Sequence, residues 1–347
     1  MVEEENLNSN SKTNINKGTL TEEELDFSKS VISKINQYYS ARIVGQQNLQ
    51  TALLVALLAN GHVLLESVPG LAKTTAAKVL TNAVNGKFSR IQCTPDLLPS
   101  DIIGTQIFNY STNTFQTKIG PIYANFVLLD EINRSSSKTQ SATLEAMQEK
   151  QITIDGKVYK LPDIFTVIAT QNPIEQEGTY LLAEAQTDRF LIKEKLTYPT
   201  AEEEVEILNR LEKNVFANNE AILTIDHLKK LQELCNKVYI DDSIKNYISR
   251  IIFATRHPEQ FIDKSLAEYV NLGSSTRGSI AFMQCSKALA LIKGRSYVIP
   301  EDIKELAHSV LRHRISLSFS ALADNVSEEQ IIDAIIGAVN TPWNLNI

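Results

Sequence analysis

Between His62 and Leu80 the chain reads HVLLESVPGLAKTTAAKVL, and within it Lys73 followed by Thr74 is a pair suited to phosphate chemistry. In a phosphate-binding loop the backbone N–H groups of a strand-to-helix turn cradle the phosphates, a lysine reaches the outer ones, and the hydroxyl after it ligates magnesium. Ser67 and Ala72 stand at the two glycine positions of G-x-x-x-x-G-K-[ST], yet both keep the N–H that does the cradling. What they lose is backbone freedom, because a Cβ resists positive φ, so Gly70 is the expected bend. Ser67, Val68, Pro69, Gly70, Leu71, Ala72, Lys73, Thr74 and Thr75 are the candidate phosphate-side set. Taken alone such a degenerate loop is a weak signal. Its position strengthens it, since HVLLE precedes it as a strand and TTAAKVL opens a helix after it.

Downstream, FVLLDE places Asp130 and Glu131 at the end of a strongly apolar run. Asp130 suits the magnesium shell beside Thr74, and Glu131 suits the polarisation of an attacking water; an acidic helix cap is the other reading of the pair. FTVIATQNP ends in Asn172, an uncharged group suited to orienting a water or touching the γ-phosphate, although Asn before Pro also marks a turn.

These groups need a scaffold. Five short apolar runs, at 62–66, 88–92, 125–130, 165–170 and 189–196, are separated by helical patterns, which predicts strands buried on both faces of a doubly wound parallel sheet. Helices are expected over 21–38, with Thr21 at the start, and over 47–59. The segments 106–120 and 151–161 interrupt the alternation and read as hairpins, the second turning at Asp155-Gly156. Past Tyr198-Pro199 the strand signals stop, and helical patterns cover 201–212, 225–238, 242–255, 276–292, 300–312 and 327–338. Pro300 and Ser327 mark starts and Gly294 a stop. The expected organisation is a disordered polar tail at 1–20, an α/β nucleotide-binding core at 21–198 and an all-helical lid at 199–347.

Bulk properties narrow the partners. The 347 residues are 43% hydrophobic and 22% charged, as in ordinary globular proteins. A formal charge of −7 argues against a broad nucleic-acid surface, which needs clustered Lys and Arg. Three widely spaced cysteines, Cys93, Cys235 and Cys285, read as reduced packing thiols. The polar, acidic start lacks a secretory pattern and no apolar run nears the ~20 residues of a membrane span, so a cytoplasmic protein without a membrane segment is expected.

IVGQ (43–46), VPGLAKT (68–74), IQCTPDLLPSDIIG (91–104), DEINR (130–134), KTQSATLEAMQE (138–149), ATQNPIEQEGTY (169–180) and EAQTDRF (184–190) together resemble the MoxR family of AAA+ ATPases. The likeness is close over about 40–200 and looser beyond. In that family Ala before the loop lysine is normal, whereas Ser67 replaces a usual Gly. The resemblance implies ATP and Mg2+ as ligands, Lys73 and Thr74 as Walker A, Asp130 and Glu131 as Walker B, and Asn172 as sensor 1. It further implies that Arg189 is an arginine finger reaching a neighbouring subunit, and that Arg277 is the sensor 2 arginine of the lid. Thr276 and Gly278 replace the usual Pro and Ala around it. Gly45 and Gln46 would touch adenine, with nucleotide between core and lid. Arg134 is either a second interface arginine or a helix-start contact. The segments around 95–120 and 150–161, which contain the hairpins, would be pore-facing or substrate-facing insertions. The whole would be a ring, a hexamer, that remodels or matures partner complexes in a chaperone-like way, with a protein substrate and a partner bearing a von Willebrand factor A domain. Two other readings stay open: a nucleic-acid motor of a related branch, and a nucleotide-switched scaffold with little hydrolysis.

Overall fold

A computed structural model describes residues 20–68, 70, 71, 73–173, 180–212 and 221–342. The polar tail, Pro69, Ala72 and the middle of the 169–180 motif lie outside them. Five parallel strands form the central sheet: β1 (Val63–Glu66), β2 (Phe88–Gln92), β5 (Phe126–Asp130), β8 (Thr166–Gln171) and β9 (Ile192–Lys195), in the order β2-β5-β8-β1-β9. The reason is visible along β5, where all five residues are buried. Phe126 and Leu128 pack into one apolar cluster and Val127 and Leu129 into another on the opposite face, as a strand's alternating side chains must when helices cover both sides.

On one face lie α1 (Glu22–Ser40), α2 (Gln47–Leu58) and α3 (Lys73–Ala83); on the other, α4 (Pro99–Ile103) and α5 (Ser137–Glu149). Helix α1 starts where Thr21 predicts, with a reciprocal capping box to Glu24. Both hairpins form. β3 (Gly104–Asn109) pairs β4 (Thr114–Ile119), and β6 (Gln151–Ile154) pairs β7 (Lys157–Lys160). Asp155 at φ 48° and Gly156 at φ 76° make the second turn, the pair of positive φ values that a two-residue hairpin of this type requires.

Short helix α6 (Glu184–Thr187) precedes β9. The strand expected over 189–196 therefore begins three residues late, and Arg189 sits in the turn before it. The remaining chain forms α7 (Ala201–Glu212), α8 (Ile225–Lys237), α9 (Asp242–Arg256), α10 (Lys264–Ala267), β10 (Val270–Leu272), α11 (Thr276–Ile292), α12 (Pro300–Leu311), β11 (Ser316–Leu317), α13 (Phe319–Ala323) and α14 (Glu328–Ala338). The region is helical as expected, except that β10 and β11 form a small antiparallel ladder. Three and two residues are too few to show a period of two.

The helical region does not stand apart. Buried residues of α1, α2 and α3 and of α8, α9, α11, α12 and α14 belong to one continuous apolar cluster. Polar ties reinforce it: Gln232 donates to the Leu57 carbonyl at 2.6 Å, and Arg312 lies 3.6 Å from Glu194 on β9. Among the described residues no helix is long and apolar enough to cross a membrane.

Candidate nucleotide site

All five strands run the same way, so their carboxyl ends meet at one edge of the sheet, where open α/β folds bind ligands. Ser67 follows β1 there, and its N–H donates to the Gln171 carbonyl of β8 at 3.1 Å. Gly70 carries the bend, at φ +89°, with nothing within 4 Å of where a Cβ would stand. Ser67 is not in the positive-φ region, so its departure from glycine creates no strain of that kind. Its side chain is buried and its Oγ donates to the Val68 carbonyl at 2.7 Å. Leu71 is buried, anchoring the loop. Lys73 opens α3, and its Nζ lies 3.3 Å from the Ser67 carbonyl, folded back over the loop it serves. Thr74 is half-buried and Thr75 exposed on the first turn of that helix.

Asp130 ends β5. Thr170, one strand over on β8, ties it to its neighbour: the Thr170 hydroxyl donates to Asp130 Oδ1 at 2.8 Å and accepts the Glu131 N–H at 2.8 Å. Glu131 itself is left-handed, at φ 59° and ψ 53°, a conformation that costs a non-glycine residue about 1–3 kcal/mol. The Thr170 hydrogen bond holds it in that turn, which aims its carboxylate away from the strand axis. Glu131 Oε2 accepts from Gln92 at 3.1 Å and from Arg134 at 3.1 Å. Asp130 Oδ2 pairs with Arg90 at 2.7 Å. Arg134 thus contacts the acid three residues before it. Asn172 follows β8, buried, and its carbonyl accepts from Asn133 at 3.4 Å.

Gly45 and Gln46 reach the same edge. Gln46 donates to the Thr197 carbonyl at 2.9 Å, just past β9, and a Cβ on Gly45 would run into the Glu203 carboxylate.

The described residues fit a triphosphate and a divalent cation on two observations. The backbone at Gly70 is open to close approach, and Asp130 already balances a positive charge, that of Arg90. No group of three His, Cys, Asp or Glu side chains gathers among the described residues. Magnesium keeps several waters and commonly takes only one or two carboxylates alongside phosphate oxygens, so a site for it does not require such a group.

Arg189 and Arg277 are elsewhere. Leu191 donates to the His62 carbonyl, at the amino end of β1, so Arg189 lies a whole strand, about 13 Å of rise, from the phosphate loop. Arg189 donates to the Leu144 carbonyl at 3.3 Å. Arg277, expected over the nucleotide of its own chain, stands instead 3.6 Å from Asp188, the residue before Arg189. The reason is how the lid docks: α11 packs on α2 rather than across the loop end of α3, which carries its first turn to the amino edge of the sheet. His62 closes that edge. Its Nδ1 accepts the Val167 N–H at 3.0 Å and its Nε2 donates to the Met147 carbonyl at 3.2 Å. Burial, with the nearby Lys150 charge, pushes its pKa down to about 4.

Sequence reading missed Arg90, Gln92, Thr170, Asp188 and Arg314. Arg90 and Gln92 could have been found, since their spacing of two puts both on one face of β2 beside Asp130. The others carry no local signal.

Comparison with known proteins agrees with this architecture. The family described as "ATPase family associated with various cellular activities (AAA)" matches residues 62–192, and the AAA lid domain matches 263–335. Chaperone MoxR1 of Mycobacterium tuberculosis is 47% identical over 86% of this chain and 79% of its own. Protein YeaC of Bacillus subtilis is 45% identical over 90% and 95%. A crystal structure of a candidate ATPase from Cytophaga hutchinsonii superposes with a TM-score of 0.86, at 44% identity, over 92% of this chain and 97% of that one.

Proposed function

The chain belongs to the MoxR family of AAA+ ATPases, and from that premise we propose that it hydrolyses ATP at sites shared between subunits of a ring, a hexamer, to remodel partner proteins as a chaperone. One observation carries the shared site: Lys73, Asp130, Glu131 and Asn172 gather at the carboxyl edge of the sheet, whereas Arg189 and Arg277 gather at the amino edge. Arginines so placed cannot serve their own chain's phosphate loop, and a second copy turned edge to edge brings the two sets together.

Each residue then has a task. Lys73 and the loop N–H groups hold the phosphates, Gly45 and Gln46 flank the base, and Thr74 with Asp130 holds Mg2+, which when bound neutralises phosphate charge. Thr170 locks Asp130 and Glu131 in register. Glu131 polarises the attacking water and takes its proton, and Asn172 orients that water. Arg189 and Arg277 of the neighbour stabilise charge that develops in the transition state.

The β3–β4 hairpin supports a polypeptide substrate. Tyr110 and Phe115 are 88% and 67% exposed, and Phe108 packs edge-on against both rings at 5.0 and 5.1 Å. Between Gly104 and Ile119 only Lys118 is charged. Exposed aromatics on a hairpin with a single lysine suit apolar peptide better than a phosphate backbone, which is held by a positive groove. A partner with a von Willebrand factor A domain belongs to this same proposal.

Mixing tests the shared site. Lys73→Ala chains bind no ATP but carry an intact Arg189; Arg189→Ala chains bind ATP but lack the arginine. Each alone is inactive, and activity partly returns on mixing once labelled-subunit energy transfer shows exchange. Exchange without recovery, together with equal specific activity in monomer and oligomer on dilution, overturns the shared site.

A further inference from the structure

Arg314 leaves the end of α12 and buries its guanidinium against the core turn that carries Arg189; its side chain is 2% exposed. It donates to the carbonyls of Asp188, Phe190 and Leu191, at 3.4, 2.6 and 3.2 Å, on both sides of Arg189 in sequence. Its Nε donates to Asp188 Oδ1 at 2.9 Å. The other oxygen of Asp188 accepts from Ser275 Oγ at 2.9 Å and faces Arg277 at 3.6 Å. One carboxylate therefore joins the core turn to the lid at two points.

These groups border a cavity of about 300 Å3 whose lining includes Lys150, Arg189, Arg277 and Arg314 against the single acid Asp188. The Nε of Arg189 is buried there without a hydrogen-bond partner. A surplus of cations over a single acid is the arrangement that an incoming anion completes. Arg314 is spent on carbonyls and on Asp188, whereas Arg189 gives one donor to the Leu144 carbonyl and Arg277, nearly half exposed, faces Asp188 only at 3.6 Å, so these two keep donors with which to meet it.

We infer that Asp188 and Arg314 form a positioning clasp that sets Arg189 of the core and Arg277 of the lid as one pair facing the terminal phosphates held by the neighbouring subunit. The inference rests on the shared-site reading. Neither clasp residue touches the anion; each acts through an arginine. The lid thus controls hydrolysis next door by holding a core turn in its own chain.

The test is a double-mutant cycle on the assembled full-length protein, with steady-state kcat and KM for ATP as readouts. Asp188→Asn lowers kcat by roughly tenfold to a hundredfold, the size of effect that misplacing a catalytic group produces, and leaves KM within about twofold. Asp188→Asn/Arg277→Ala is slower than Arg277→Ala alone by less than the factor that Asp188→Asn costs in the parent, because the part of the Asp188 effect that runs through Arg277 is already gone and only the part through Arg189 remains. A kcat unchanged in Asp188→Asn, losses that multiply, or a matching rise in KM overturns the clasp. Because Asp188→Asn leaves Arg314 with a weakened partner, the cycle is repeated with Ser275→Asp, which keeps an acceptor at the N-cap of α11 but replaces the donor to Asp188 with a like charge, without unburying Arg314. The same non-additivity is expected, and multiplying losses overturn the clasp there too. If Arg189→Ala and Arg277→Ala themselves leave kcat intact, the shared site fails rather than the clasp.

Discussion

The two edges of the sheet are built differently. At the carboxyl edge the functional groups come from neighbouring strands and hold one another over short reaches: Thr170 spans Asp130 and Glu131, Gln92 reaches Glu131, and Lys73 lies back on its own loop. At the amino edge they are assembled from segments remote in sequence, with Asp188 meeting Arg314 across 126 positions. The first is a set of groups held in place by their own neighbours; the second is a cluster of cations gathered around one acid, Asp188. Under the proposed function, a site divided this way turns over only when two chains meet, which makes assembly and lid docking conditions for hydrolysis.

Breaking the amino edge has the largest expected effect. Arg189→Ala should leave ATP affinity within a few-fold of the parent by calorimetry while kcat falls by about 10³–10⁵. Affinity lost in parallel would place Arg189 at its own chain's nucleotide and dissolve the contrast. Glu131→Gln, at the other edge, should also keep ATP bound and cut hydrolysis by about 10²–10⁴. Loss of binding there would mean that Glu131, not Asp130, holds the cation.

Acid should act on the amino edge first. His62 is buried neutral with its pKa near 4, against about 6.5 in an unfolded chain. Below pH ~6.5 the unfolded state takes a proton that the folded state refuses, so stability falls as pH drops from ~6.5 toward 4, by up to about 3 kcal/mol, and this contribution is complete above that range. Thermal melts of the parent and His62→Gln between pH 7.5 and 4.5 should therefore converge on acidification. A constant gap would show that His62 does not titrate in this way.

The smallest effects separate two loop positions. Gly70→Ala puts a Cβ at φ +89° and should weaken ATP binding by about 1–3 kcal/mol through strain alone. Ser67→Gly relieves no positive φ and removes only a hydroxyl that donates to the neighbouring Val68 carbonyl, so affinity should change less than about threefold, about 0.6 kcal/mol. Calorimetry that ranks the two the other way would move the bend of the loop to residue 67.

What the amino-acid sequence determined by itself was whatever neighbours along the chain decide. The capping box at Thr21 and Glu24, the Asp155-Gly156 turn, the helix starts at Pro300 and Ser327, and the five buried runs all depend on residues a few positions apart. The Lys73-Thr74 and Asp130-Glu131 pairs are local in the same sense, and the strands that carry them deliver them to one edge because parallel strands share a direction. Only the tertiary structure decided that β5 and β8 lie between β2 and β1, which brings Arg90 to Asp130 and Thr170 to both acids. It also carried Arg277 to the edge opposite the one expected. No periodicity encodes that placement, because the choice of face on which α11 docks is settled by apolar burial against α2 and by Arg314 giving four hydrogen bonds to a turn more than a hundred residues away.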